Sequence, residues 1–156
     1  MKTTILVLKR EDSALLVREL NILLANFQVY YQNLRGLHWN IKGRNFFELH
    51  LKFEELYTDA QDKIDMIAER ILTLQGRPIH TFEDYSKVAT ISTAKNIERD
   101  EEAVQVVVSS LIELLRIEKS LLILSDEAGD EGTNSMMSDF ISEQEKIIWM
   151  MNAWLS

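Results

Sequence analysis

Two histidines and three acids stand at spacings that suit metal chemistry. His50 with Glu54 forms an HxxxE pair and Asp65 with Glu69 a DxxxE pair. On a helix each pair shares one face, its members one turn apart. Imidazole together with carboxylate is the ligand set of iron, manganese or zinc. Pairs at i,i+4 are equally at home as solvated charges on a helix surface, so the spacing alone leaves both readings open. With His50 at zero and about 100° per residue, Glu54 falls at about 40°, Asp65 at about 60° and Glu69 at about 100°, a single narrow stripe. Yet His50 and Asp65 lie about 22 Å apart along the axis, whereas a metal–ligand bond is about 2 Å long. One chain therefore offers two half-sites. The four positions are symmetric about the point between Asp59 and Ala60. A second copy crossing antiparallel there, near small Ala60, would bring the His50 end of one helix to the Glu69 end of the other, and Glu54 to Asp65, making two identical sites per dimer. His38 joins such a site if the turn after Trp39 folds the chain back as an antiparallel hairpin.

The elements that must position these groups are helices. Apolar residues recur every three or four positions, strict alternation hardly appears, and the single proline and five glycines mark a few breaks. The periodicity predicts a first helix from about Ser13 to Trp39 and a second from about Phe46 to Leu74, with Gly76 as its stop signal. A third runs from about Ala94 to Ala128 and a fourth from about Asn134 to Leu155. The connection from Arg77 to Thr93 contains Thr81-Phe82-Glu83-Asp84, a capping box that predicts a short helix from about Phe82 to Ala89. That connection can span roughly 56 Å, longer than the second helix at roughly 43 Å, so helices two and three can run parallel. The expected fold is an all-α, ferritin-like four-helix bundle with a long crossover containing a short helix. Residues 1–156 make one domain, with a short N-terminal tail over 1–12.

Composition excludes several classes. With 25 acids, 17 Lys and Arg and a formal net charge of -8, the chain repels phosphate backbones. The absence of cysteine removes disulfides, thiolate zinc sites, Fe–S clusters and thiol nucleophiles, and suits a cytoplasmic protein. Ile5 to Leu8 is too short for a signal-peptide core or a membrane span. No ExxH occurs, which disfavours a di-iron cage inside one bundle. Glu118, near the apolar stripe of the third helix, is expected as a snorkelling or loop-facing acid. His80, in the crossover, reads as a surface residue, and no phosphate loop, catalytic serine triad or HExxH motif is present.

His38-Trp39, Gly43, Phe46, Leu49-His50, Phe53, Tyr57 and Asp65-Met66-Ile67-Ala68-Glu69-Arg70 follow the pattern HWxxxGxxFxxLHxxFxxxYxxxxxxxDxxAER. In this the chain resembles the Dps family of mini-ferritins. The likeness continues through Gly76-Arg77-Pro78, 128–133 and Ile148-Trp149-Met150.

The resemblance implies a hollow shell of twelve subunits with ferroxidase centres at two-fold interfaces. Carried onto these positions, His38, His50 and Glu54 would come from one subunit and Asp65 and Glu69 from the other, binding iron, with zinc or manganese as possible substitutes. It implies oxidation of ferrous iron, preferentially by hydrogen peroxide, and storage of the ferric mineral. Trp39 matches a family position near the centre where an oxidisable ring could absorb a stray radical; it could equally be a packed aromatic. Asp130 and Asp139 match acids lining three-fold pores through which iron enters, and Asp126, Glu127 and Glu131 are weaker candidates; an acid at a helix start also complements the helix dipole. Direct DNA binding is doubtful, because no Lys-rich tail precedes the first helix and twelve copies at -8 each carry -96. The competing expectations are a nucleoid-packing protein with a vestigial metal site and a helical adaptor that only dimerises.

Overall fold

The computed structural model describes residues 7–156. Among them are five helices and no strand: α1 (Arg10–Asn40), α2 (Phe46–Thr73), α3 (Phe82–Val88), α4 (Asp100–Ala128) and α5 (Glu131–Leu155). The expected all-α ferritin-like bundle is what forms. α1 packs on α2 and α4, α4 on α5, and short α3 lies against α1. Cross-links at the helix ends fix the directions. At one end Lys42 N–H donates to the Glu98 carbonyl and the Asn45 amide to Asp100, so the α1–α2 turn sits beside the start of α4. At the other, Ser13 Oγ donates to the Leu74 carbonyl and Arg70 pairs with Asp130, so α2 ends beside the α4–α5 turn. α2 and α4 therefore run parallel, joined by the crossover over residues 74–99.

Several boundaries differ from the expected ones for local reasons. α1 begins at Arg10, with Glu11 and Asp12 complementing the dipole of its first turn, so the tail expected over 1–12 is shorter; its first six residues lie outside those described. α4 begins at Asp100, not Ala94. The Asn33 side chain receives the Ala94 N–H and donates to the Ser92 carbonyl, and Asn96 is left-handed at φ 57°, so residues 94–99 cannot enter a helix. α5 begins at Glu131 because Asp130 caps it through the Thr133 N–H. The short helix is capped as its sequence implies, Thr81 Oγ1 accepting from the Asp84 N–H.

The end of α2 divides two tasks between neighbours. Gln75, not Gly76, takes the left-handed position (φ 66°), and Gly76 N–H bonds the Ile71 carbonyl. Gly76 is required for a different reason: a Cβ there would lie 2.5 Å from Val17 Cγ1.

The core runs the length of the bundle, from Leu20 and Phe27 of α1 through Phe53 and Ile67 of α2 to Leu114 and Leu121 of α4 and Phe140 of α5. Three asparagines on α1 tie the crossover to it. Asn21 Oδ1 receives the Ile79 N–H, Asn26 Oδ1 receives the Thr90 and Ile91 N–H groups, and Asn33 holds 92–94 as above. These bonds satisfy backbone groups that the irregular stretches on either side of α3 would otherwise leave unpaired against the bundle. No helix among the described residues is long and apolar enough to cross a membrane.

Candidate metal centre

The α1–α2 turn brings His38, in the last turn of α1, beside His50, in the second turn of α2. His38 Nδ1 donates to the His50 carbonyl oxygen at 2.6 Å, and His50 Nδ1 donates to the His38 carbonyl oxygen at 2.7 Å. A carbonyl can only accept, so Nδ1 carries a proton in both rings, and the neutral ring presents Nε2 as a lone pair. The rings stack, with centroids 3.8 Å apart and planes 10° apart. Phe46 stacks on the outer side of His50 at 4.8 Å, and Tyr57 meets His38 edge-on at 5.4 Å. Backbone and aromatic walls thus hold two imidazoles in the ligand tautomer, the role that outer-shell groups play in metal sites.

Glu54, Asp65 and Glu69 are exposed on the same helix. None forms an ion pair among the described residues, whereas nearby Glu55 and Asp59 are neutralised by Lys52 and Lys63. Free carboxylates and free Nε2 atoms suit a borderline divalent metal such as ferrous iron. No three His, Asp or Glu side chains converge among the described residues of one chain. His38 and His50 come together; Asp65 and Glu69 stay at the far end of α2. Ala60 is buried in its own bundle rather than lying at the helix crossing expected of it; the outer face at the symmetry point carries exposed Thr58 and Gln61 instead.

Trp39 is 57% exposed and stacks under Arg35, whose guanidinium carbon lies 4.8 Å from its ring centroid. The aromatic residues in contact with the imidazoles are Phe46, against His50, and Tyr57, against His38. The position of Tyr57 in the HxxxxxxY spacing after His50 was visible, but nothing in the sequence separated a wall of the site from core packing.

Of the acids matched to a pore, Asp139 is exposed and Asp130 is not. Asp130 is 4% exposed and saturated: Oδ1 receives Arg70 Nη2 (2.5 Å) and the Thr133 N–H, and Oδ2 receives the Thr133 hydroxyl. In this chain it is the cap of α5 and the anchor of Arg70. Gly132 completes the clasp, since a Cβ there would lie 2.6 Å from the guanidinium nitrogens. Asp126, Glu127 and Glu131 are exposed.

Glu118 overturns its expected placement. It is neither snorkelling nor loop-facing but wholly buried in the bundle, receiving Gln144 Nε2 on both oxygens at 2.7 and 2.6 Å. Burial pushes its carboxyl up to about 8, against the opposing pull of the Gln144 hydrogen bond and the Lys63 charge.

Known proteins share this fold. The ferritin-like domain family matches residues 17–156. A DNA protection during starvation protein of Porphyromonas gingivalis is 42% identical over 94% of this chain and 92% of its own, and an uncharacterised protein of Haemophilus influenzae is 44% identical over 98% and 96%. The crystal structure of a Dps protein from Vibrio cholerae O1, described as a member of a broad superfamily of ferritin-like diiron-carboxylate proteins, superposes with a TM-score of 0.96 at 51% identity over 100% of this chain and 98% of its own.

Proposed function

Because the chain belongs to the Dps family of ferritin-like proteins, we propose that it is a ferroxidase that oxidises ferrous iron, preferentially with hydrogen peroxide, and stores the ferric product inside a twelve-subunit shell. The observation that carries this reading is the reciprocal His38–His50 pair, two imidazoles fixed with free Nε2 atoms on the hairpin that also bears three unpaired carboxylates. In the proposed centre His38, His50 and Glu54 of one subunit face Asp65 and Glu69 of the other across a two-fold axis.

The outer face of α2 supports that pairing. Phe47 is 85% exposed and Leu72 58%, and both lie on the ligand stripe, at about 60° and 40° from His50. They are symmetric about the same point between Asp59 and Ala60 as the two ligand pairs. An antiparallel mate would cover Phe47 with Leu72 at each end while closing both centres, and large apolar side chains left in water call for such a cover.

Iron supplies the redox change. Two ferrous ions give one electron each, and peroxide takes both with two protons and leaves as two waters, so no hydroxyl radical is released. The chain's part is to hold the two ions together, with imidazole and carboxylate donors that also accept zinc or manganese. Asp139, with Asp126, Glu127 and Glu131, is left to draw cations towards the shell, since Asp130 is engaged within its own subunit. We place the activity in the cytoplasm. Protection of DNA, which the name of the Porphyromonas gingivalis relative describes, follows here from removing iron and peroxide; a surface carrying -8 per chain opposes direct contact with phosphates.

Replacing His50 and Asp65 together by alanine tests the assignment. Fast peroxide-dependent ferrous oxidation is lost while the assembled mass is kept. Unchanged kinetics would overturn it.

A further inference from the structure

A groove opens between the start of α2 and the end of α5. Leu49 and Leu56 of α2 line it with Ile147, Met150, Met151 and Trp154 of α5, and its volume is about 170 Å³. Apolar cavities of about 150 Å³ take up a benzene ring, so the groove has room for an aromatic side chain. With His50 at zero and about 100° per residue, Leu49 and Leu56 lie at about 260° and 240°, whereas the ligand stripe spans about 0° to 100°. The groove and the proposed two-fold contact therefore occupy different sides of α2.

The same end of α5 carries a large ring that nothing covers: Trp149 is 66% exposed. With Phe140 of the core at zero, Met151 falls at about 20°, Ile147 at about 340°, Trp154 at about 320° and Met150 at about 280°, while Trp149 falls at about 180°. Trp149 thus points away from the core and from the groove beside it, and its own chain leaves it in water. Charge distinguishes the two surfaces further. Lys52 pairs with Glu55 and Glu145 with Lys119. Exposed Glu48, at the rim of the groove, and exposed Lys146, one turn before Trp149, are left without ion pairs among the described residues. A groove edged by a free acid and an indole preceded by a free base are complementary in shape and in sign.

We propose that Trp149 of one dimer seats in the α2–α5 groove of the next, with Lys146 beside Glu48, and that this contact joins two-fold dimers into the shell. It rests on the shell proposed above and names the surface that closes it. Indole and groove are different patches, so the contact is heterologous and propagates beyond a pair, which the isologous α2 contact alone cannot do. A seated indole buries about 150–250 Å². That is far below the roughly 1,200 Å² of a stable pair, so chains without the two-fold contact stay apart. Dimers that meet at several such contacts hold together.

Sedimentation of the metal-free protein at pH 7 is the test. The wild type sediments as twelve chains and Trp149→Asp as two, with helical circular dichroism kept. The dimeric variant still oxidises ferrous iron with peroxide, because both centres close within the dimer, but its ferric product precipitates for want of a shell. Glu48→Lys and Lys146→Glu each shift assembly to about tenfold higher protein concentration, and the double exchange returns it to the wild-type value. Should the aspartate variant fail to fold, Trp149→Ser carries the same expectations. A folded Trp149 variant that stays at twelve chains, or a double exchange no better than its parents, overturns this contact and leaves the shell standing. A wild type of two chains overturns shell and contact together.

Discussion

His38 and His50 hold each other: each imidazole Nδ1 donates to the main-chain carbonyl of the other residue, at 2.6 and 2.7 Å, with the rings stacked 3.8 Å apart. The bonds tie the last turn of α1 to the second turn of α2, and they select the tautomer that leaves Nε2 for metal. Folding of the hairpin and presentation of the two Nε2 atoms are the same event.

The exposed apolar ends of α2 bear on assembly. Replacing Phe47 and Leu72 together by aspartate sets like charges where the proposed two-fold contact buries apolar surface. The variant keeps its helical circular dichroism but sediments as the 18.2 kDa chain, and it loses peroxide-dependent ferrous oxidation with its dimer. An assembled, active variant would remove α2 from the interface.

Glu118 makes stability depend on pH. Burial pushes its folded carboxyl up to about 8, above the ordinary value of 4.5, with Gln144 and Lys63 pulling the other way and Glu143 adding to the rise. Between those values the folded chain holds a proton that the unfolded chain has released, so this contribution to stability is full below about pH 4.5 and is lost as pH rises to about 8. The slope is on the order of 1 kcal/mol per pH unit. Glu118→Gln keeps a neutral, hydrogen-bonding group of the same shape. Urea unfolding at pH 5.5, 7 and 8.5 gives midpoints that fall for the wild type and stay level for this variant.

Arg70 and Asp130 clamp the end of α2 to the start of α5. Asp130→Ala removes a helix cap and strands a largely buried guanidinium, a loss of about 3 kcal/mol. Denaturant unfolding reads it directly, and the same substitution leaves ferrous oxidation by folded protein unchanged if Asp130 lines no pore.

Much of this was legible in the chain. The helical period placed His38 and His50 on facing stripes, and the short polar turn at Gly43 required a hairpin that brings them together. The shared stripe of Glu54, Asp65 and Glu69 followed from spacing alone. What escaped were partners far away in sequence. Ala94 looks like a helix residue until its N–H is found on Asn33, 61 positions earlier. Glu118 looks like a surface acid until Gln144 is found beneath it, 26 positions later. Asp130 matched a pore position, yet nothing local announces that Arg70 claims its carboxylate. Ala60 was small but faced inward, because a helix of this period turns its small residue to the core as readily as to a neighbour.

The central claim is that imidazoles and acids of one centre belong to different chains, and mixing two defective chains tests it. A His38→Ala/His50→Ala chain and an Asp65→Asn/Glu69→Gln chain are each inactive alone. Unfolded together and reassembled in equal amounts, half of their dimers are mixed, and each mixed dimer regains one whole centre of its two, so about one quarter of the wild-type oxidation rate returns. If shells shown to contain both chains remain as inactive as either parent, the centre is not shared and the account is wrong.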